Sequence, residues 1–228
     1  MSNWHDELGV FDLETTGVDV DSARIVSAHV GVLDERGDTV ERLDWLVDPG
    51  VEIPREASAV HGITTEMARA SGRPAVVAVT EIVAAVRTLL ARGIPVVAYN
   101  AAYDFTLLNR EAVRHGVAPL AEPSPIVDPL VIDKAVDKYR RGKRTLEVTC
   151  GHYGVSLVGA HDAGADAIAA GRVAQAIARA YPVELGIDVA ELHALQVRWC
   201  LEQAADFQAY MRRVKDPGFT TSGTWPVR

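Results

Sequence analysis

The stretch FDLETTG places two carboxylates, Asp12 and Glu14, two residues apart in what is otherwise typical of the start of a buried strand. Successive side chains of a strand alternate between its two faces, so both acids point to the same side. There their like charges repel each other. A sequence that served only core packing would not place them so. The spacing therefore indicates that something positively charged lies opposite the pair.

Two further acids, Asp104 and Asp166, lie on apolar faces of predicted helices, next to leucines in one case and alanines and valine in the other. Four inward carboxylates are each strongly destabilising if they are ionised and unpaired, and no lysine or arginine is placed to pair with all four. Two divalent cations would neutralise them. Oxygen ligands favour Mg²⁺ or Mn²⁺ over zinc, and two such ions form a clamp used to cleave phosphodiesters.

Cleavage by an activated water also needs a base, and His161 is the candidate. It stands five residues before Asp166, just ahead of the helix that carries this acid. Residues at this spacing do not share a helix face, but a histidine in the preceding loop can reach over the carboxylate. Near neutral pH, histidine is the side chain best suited to accept the proton.

The elements that must position these residues follow a recognisable order. Three predicted antiparallel strands come first, and two short strands then alternate with helices. We place the strands at 9–13, 25–33, 40–47 and 95–99 and in IVDPL. Two short turns, PREASAV and TTEMARA, precede the first long helix. This order predicts an α/β, ribonuclease-H-like fold: a five-stranded mixed sheet with helices on both sides and a C-terminal helical extension.

With these motifs in order, the chain resembles the DEDD exonuclease superfamily, in the subgroup whose fifth residue is histidine (DEDDh). FDLETTG is similar to the family's first motif, YNAAYDF to its second and HDAGADA to its third. The resemblance covers about residues 8–180, including the loop HGIT. Within the family the chain looks most like the proofreading epsilon subunit of bacterial DNA polymerase III and its free-standing relatives.

The resemblance implies a two-metal-ion 3′–5′ exonuclease. Such an enzyme removes nucleoside 5′-monophosphates from the 3′ end of single-stranded DNA, in repair or proofreading. Its metal ligands would be Asp12, Glu14, Asp104 and Asp166, holding two Mg²⁺ or Mn²⁺ ions, and its base would be His161.

The resemblance also suggests substrate contacts, each of which has a structural alternative. The turn formed by Thr15, Thr16 and Gly17 would lie beside the terminal nucleotide, although it is equally a turn that ends a strand. Leu13, just before this turn, would also contact the substrate. His61 of HGIT would lie near the substrate or serve as a structural loop histidine. Asn100 would contact the substrate or bond its own backbone at the end of a strand.

A cluster of basic residues within 134–144 leads towards the third motif. In an acidic protein, such a cluster favours contacts with phosphates upstream of the cut over a merely solvated face. The residues that we expect to make these contacts are Arg140, Arg141, Lys143 and Arg144.

The chain divides into an expected exonuclease domain, 1–182, and a C-terminal amphipathic helix with an irregular tail, 183–228. The helix either packs on its own domain or contacts a partner, such as a second copy of the chain. We find no linker that leads to a polymerase-binding segment, and QAADF is a poor match to a sliding-clamp peptide. These features favour a free-standing enzyme over one bound to a polymerase.

Composition restricts the class of protein. The 228 residues carry a formal net charge of −8, which argues against a chain that coats nucleic acid electrostatically. The two cysteines match no metal or redox spacing, and the start MSNWHDELG shows no secretory signal. No stretch is apolar enough to span a bilayer. We therefore expect a cytoplasmic protein.

Three other functions compete with a DNA exonuclease. A short-RNA exonuclease would use the same residues. An inactive nuclease-fold binding module would be expected to lack at least one catalytic acid, and none is missing. A phosphatase-like enzyme would act on mononucleotides rather than on oligonucleotides.

Overall fold

The computed structural model describes residues 3–228, which form a six-stranded mixed sheet with helices on both faces. The strands are β1 (Leu8–Thr15), β2 (Ile25–Leu33), β3 (Thr39–Asp48), β4 (Arg73–Pro74), β5 (Val96–Val97) and β6 (Ile126–Val127). Their order across the sheet is β4-β3-β2-β1-β5-β6. The predicted α/β, ribonuclease-H-like fold is confirmed. The strand absent from the prediction is β4, a two-residue edge strand parallel to β3.

Nine helices surround the sheet in the described part of the chain. They are α1 (Arg55–His61), α2 (Thr65–Ser71), α3 (Ala75–Ala91), α4 (Ala101–Arg114), α5 (Pro129–Val136), α6 (Leu146–Tyr153), α7 (Ala163–Ala180), α8 (Pro182–Leu185) and α9 (Val189–Val214). The segments PREASAV and TTEMARA, expected as turns, form the short helices α1 and α2. None of the helices within 3–228 is long and apolar enough to cross a membrane.

The pairing of β1 determines where the functional residues meet. β1 runs parallel to β5, with Val10 opposite Val97. Because parallel strands end at the same edge of a sheet, Asp12 and Glu14 lie at the edge where β5 leads into the next helix. Only three residues separate β5 from α4, so the N-terminus of α4 also lies at this edge.

The two faces of the sheet are covered by different helices. Phe11 packs edge-on against Phe105 of α4, in the core on the side of α3 and α4. On the other face α7 lies unusually close to the sheet. A Cβ at Gly171 would be 2.5 Å from Val10 Cγ1 and 2.6 Å from Leu33 Cδ1, so only glycine fits at this crossing without displacement. This contact helps to fix α7, and with it Asp166, over β1.

The C-terminal region packs on the domain along part of its length. Gln196 of α9 is fully buried, and its side chain accepts from the Asp128 amide at 2.6 Å and donates to the Ile126 carbonyl at 3.0 Å. The tail returns to the core, where Trp225 is only 6% exposed. The C-terminal half of α9 differs, because about half of the surface of several large apolar side chains is exposed there: Leu201, Phe207, Tyr210 and Val214.

Candidate active site

Three carboxylates converge on the face of the sheet that α7 covers. Asp12 and Glu14 lie at the end of β1, and Asp166 lies in the first turn of α7. This helix begins at a capped residue, since the Asp162 side chain accepts from the Ala165 amide at 3.0 Å. One oxygen from each of the three acids lies within 4.8 Å of the others, and all three side chains are partly buried. Such spacing suits shared coordination of a cation.

The fourth acid, Asp104, approaches from the first turn of α4 and is only 3% exposed. Its pKa is raised well above the ordinary value, mainly by burial, although backbone hydrogen bonds from Asp104 itself and from Leu13 oppose the shift. The pKa of Asp12 is likewise raised by burial and then by the charge of Asp104. The structure therefore brings together the four acids selected from the sequence.

The charge of this cluster is uncompensated within the described residues. Burial raises the pKa of Glu14 to about 8, with further contributions from Asp166 and Asp162. The pKa of Asp166 is also raised, again chiefly by burial. The ion pairs found in residues 3–228 involve none of the four acids. Cations are therefore the natural partners of this cluster.

Asp166 gives the most direct sign that a ligand belongs here. Its Oδ2 accepts from the His161 backbone amide at 3.2 Å. Its Oδ1 is buried and has no hydrogen-bond partner within 3–228. An orphaned carboxylate oxygen that faces two other acids fits a hard divalent cation, and the oxygen-only donor set fits Mg²⁺ or Mn²⁺.

His161 lies at the entrance to this cluster in a strained backbone conformation. Its φ is +68°, in the left-handed region that residues other than glycine adopt at a cost. The side chain is exposed, and His161 is close enough to influence the pKa of Asp166 and of His61. Burial, chiefly, lowers the pKa of His61. The two histidines therefore lie near each other.

The turn after β1 is held by its own side chains. The Thr15 hydroxyl donates to the Gly17 carbonyl at 2.8 Å and lies 2.7 Å from the Tyr103 phenol oxygen. The Thr16 hydroxyl accepts from the Arg24 amide at 2.9 Å. Both threonine hydroxyls that we expected to meet the terminal nucleotide are thus already engaged within the chain.

Two other expected substrate contacts differ in their outcome. The Leu13 side chain is only 6% exposed and packs in the core with Phe11, because strand alternation turns it away from Asp12 and Glu14. The prediction that Leu13 contacts the substrate is therefore wrong for its side chain. Asn100, by contrast, is exposed at the start of α4 with φ +65°, and its amide donates to Asp128 Oδ1 at 3.0 Å.

The basic segment divides into inward and outward residues. Arg140 and Arg144 both donate to the buried carboxylate of Asp133, and their side chains are only about a tenth exposed. The expectation that they contact phosphates is corrected, because an internal partner already holds both guanidinium groups. Arg141 and Lys143 are exposed, as that expectation requires.

Sequence reasoning missed three residues of this region. Tyr103 holds the turn after β1, but a single sequence contains no signal that pairs it with Thr15. Asp162 adds negative charge beside the cluster, although its cap role was evident from the sequence. Asp133 carried a usable signal, since it lies among apolar residues of α5 with arginines seven and eleven residues later.

A family model places this geometry in context. The RNase_T model, described as an exonuclease, matches residues 10–174. The match spans all five residues that the sequence analysis assigned to catalysis. It ends within α7, so the whole of the C-terminal region, 183–228, lies outside it.

Known proteins with similar sequences are much longer than this chain. The PolC-type DNA polymerase III of Streptococcus thermophilus is 28% identical over 165 residues, which are 72% of this chain and 10% of that protein. The corresponding protein of Pediococcus pentosaceus is 26% identical over 154 residues, 68% of this chain and again 10% of the relative. The chain therefore spans about a tenth of the length of these relatives.

Solved structures share the fold at low sequence identity. Escherichia coli Exonuclease I in complex with a dA16 oligonucleotide has a TM-score of 0.66 and 20% identity, over 78% of this chain and 42% of that one. Exonuclease I from Methylocaldum szegediense has a TM-score of 0.67 and 21% identity, over 84% and 45%. At this level of identity, the similarity establishes the fold.

Proposed function

The chain belongs to the exonuclease family whose RNase_T model matches it, and from this premise we propose that it is a metal-dependent 3′–5′ exonuclease. It removes nucleoside 5′-monophosphates from the 3′ end of single-stranded DNA. The observation that carries the proposal is the convergence of Asp12, Glu14 and Asp166 within 4.8 Å, with Asp104 beside them and no ion pair to any of the four acids within residues 3–228.

The four acids would hold two divalent ions, Mg²⁺ or Mn²⁺. Such ions, when bound, supply charge stabilisation to the phosphodiester and lower the pKa of water. The protein's own contribution is to keep the acids together against their mutual repulsion. Asp104 is held by burial, and Asp166 by the amide of His161 and by the capped first turn of α7.

His161 acts as the proton acceptor in this proposal. Its side chain is exposed at the entrance, so an accepted proton can pass to solvent. In its strained backbone conformation, with φ +68°, its amide also donates to Asp166 Oδ2 at 3.2 Å. One residue therefore both orients a carboxylate and presents an imidazole.

Single-stranded DNA is favoured as substrate over short RNA. The similar proteins are DNA polymerases of the PolC type and Exonuclease I, one structure of which contains a dA16 oligonucleotide. An inactive binding module is disfavoured because all four acids and the histidine are present. Action in DNA repair or proofreading, cytoplasmic location, a polymerase complex and a homodimer through α9 stay predictions from the sequence.

The test uses a 5′-labelled single-stranded DNA oligonucleotide and its RNA counterpart, each incubated with Mg²⁺, Mn²⁺ or chelator. We expect a ladder that shortens from the 3′ end with metal, disappears with chelator, and is lost in Asp12→Ala and His161→Ala. Glu184→Ala, which removes an exposed acid on α8, is the matched control and should retain the ladder. Normal turnover by Asp12→Ala would disprove the site, and faster cleavage of RNA would disprove the substrate.

A further inference from the structure

The segment between α5 and α6, residues 137–145, is fixed from beneath by buried charges; we refer to it as the 137–145 loop. Asp133, which is fully buried, accepts from Arg140 and Arg144 and also from the Tyr153 hydroxyl at 2.8 Å. Arg144 additionally donates to the backbone carbonyls of Asp133, Asp137 and Arg140. These bonds hold an irregular stretch of chain in one conformation.

The side chains that the loop turns outward have a different character. Tyr139 is 89% exposed, and Arg141 and Lys143 are also exposed. The exposed Lys138 lies 3.7 Å from the exposed Asp206, measured from Nζ to Oδ2. The loop thus presents an aromatic ring and two cations without close acidic partners within 3–228, on a chain whose net charge is −8.

Packing does not explain this arrangement. Ordering an irregular loop costs conformational entropy, and burying the Asp133 carboxylate with two guanidinium groups costs their hydration. In return, the fold gains almost no burial of the Tyr139 ring. A loop that is rigid underneath and aromatic and cationic on top is suited to bind a ligand that has flat faces and negative charge.

The loop is also tied to the candidate active site. The Tyr99 hydroxyl donates to the Arg144 carbonyl at 2.7 Å and lies 2.8 Å from the Thr149 hydroxyl. Tyr99 directly precedes Asn100, where α4 begins, and this helix carries Asp104. The position of the loop is therefore coupled through one side chain to the helix that holds a candidate metal ligand.

We propose that the 137–145 loop is a binding site for the single strand upstream of the bond that is cleaved, with a base stacked on Tyr139 and phosphates bound by Arg141 and Lys143. The inference rests on the proposed function, because it names the part of that substrate which the loop holds. Every base has a flat face, so the site accepts any sequence. Paired bases inside a duplex offer no free face, so the site selects single strands.

The test measures binding separately from cleavage. A fluorescein-labelled dT12 oligonucleotide is titrated with each protein in EDTA, and its anisotropy gives the Kd. Tyr139→Ala should raise the Kd at least about fivefold, which is the lower end of the range expected for the loss of one stacked base. Tyr139→Phe keeps the ring and should bind like the wild type. Val183→Ala, which removes an equally exposed apolar side chain on α8, should also leave the Kd unchanged.

The cations are tested through salt dependence. Each phosphate contact with a single strand contributes about 0.7 to the slope of log Kd against log salt concentration. The double variant Arg141→Ala/Lys143→Ala should therefore lower this slope by about 1.4. Circular dichroism and thermal melting check that each variant is folded. We expect them all to fold, because the substituted side chains are exposed.

The outcomes separate this inference from the proposed function. If the wild type cleaves the oligonucleotide but the Kd of Tyr139→Ala is within twofold of the wild-type Kd, the loop site is overturned and the exonuclease proposal stands. If binding depends on Tyr139 but the wild type cleaves nothing, the loop binding site is supported and the exonuclease proposal is overturned. If the wild type binds no oligonucleotide, the loop site is overturned, and a protein partner becomes the occupant to seek.

Discussion

Replacing Glu14 by Gln should make the ion-free protein more stable at pH 8, although the change removes a candidate metal ligand. The pKa of Glu14 is raised from its ordinary 4.5 to about 8, first by burial and then by Asp166 and Asp162. Between these two values the folded chain keeps a proton that the unfolded chain has released. Stability therefore falls as pH rises through this window, and the loss is complete above about pH 8. Gln stays neutral and avoids the loss.

The size of the effect follows from this shift. Each pKa unit corresponds to about 1.4 kcal/mol, so the full shift would be worth up to ~5 kcal/mol. Glu14 is only partly buried, and solvent screening reduces this to about 1–2 kcal/mol. For a chain of this length, a gain of that size raises the Tm by about 2–8 °C.

The assay is thermal unfolding of the wild type and Glu14→Gln in EDTA at pH 4.5, 6 and 8. The gain in Tm should be near zero at pH 4.5 and largest at pH 8. Glu147→Gln, at an exposed position on α6, should show no comparable gain. A variant that is less stable than the wild type at pH 8, or a gain that does not change with pH, would refute the reasoning about this carboxylate.

Three further predictions concern other parts of the chain. Arg144→Ala leaves the buried Asp133 carboxylate short of a partner and should lower the free energy of unfolding by about 3–5 kcal/mol, measured by urea titration; a loss below 1 kcal/mol would show that the pair is not buried. Gly171→Ala places a Cβ 2.5 Å from Val10 and should cost about 1–3 kcal/mol in the same assay; an unchanged midpoint would mean that α7 lies further from the sheet. His161→Gly should cut kcat by about 10²–10⁴-fold while the Tm holds or rises, because glycine relieves the positive φ. Normal kcat in this variant would exclude His161 as the base.

The acids of the site could be selected from the sequence because each violates a local pattern. Asp12 and Glu14 interrupt a strand, and Asp104 and Asp166 interrupt apolar helix faces. The predicted strand at 25–33 agrees with β2 for the opposite reason, because it follows the pattern of a buried strand closely and a long apolar run has few alternatives. Strong periodicity, or a strong departure from it, is information that a single sequence contains.

Other features could not be predicted because they depend on distant parts of the chain. The strand β4 has two residues, one of them a proline, and shows no alternation. The inward direction of Arg140 and Arg144 depends on Asp133, which precedes them by seven and eleven residues across an irregular segment. The apolar neighbours of Asp133 signal a buried acid, but they do not say which of the nearby basic residues turn inward to meet it. Charge alone does not distinguish an arginine that binds phosphate from one that holds a loop.

The same electrostatics relates the stability of the site to its affinity for metal. Glu14 holds a proton up to about pH 8 in the ion-free chain, so a divalent ion that binds must displace this proton. Affinity should therefore rise with pH up to about 8, over the window in which the ion-free fold loses stability. A fold that concentrates four acids more tightly would bind ions better and be less stable without them. Partial exposure of Asp12, Glu14 and Asp166 limits both the affinity for ions and the loss of stability without them, because solvent screens these charges. Asp104 is the one acid of the four that is buried and therefore little screened.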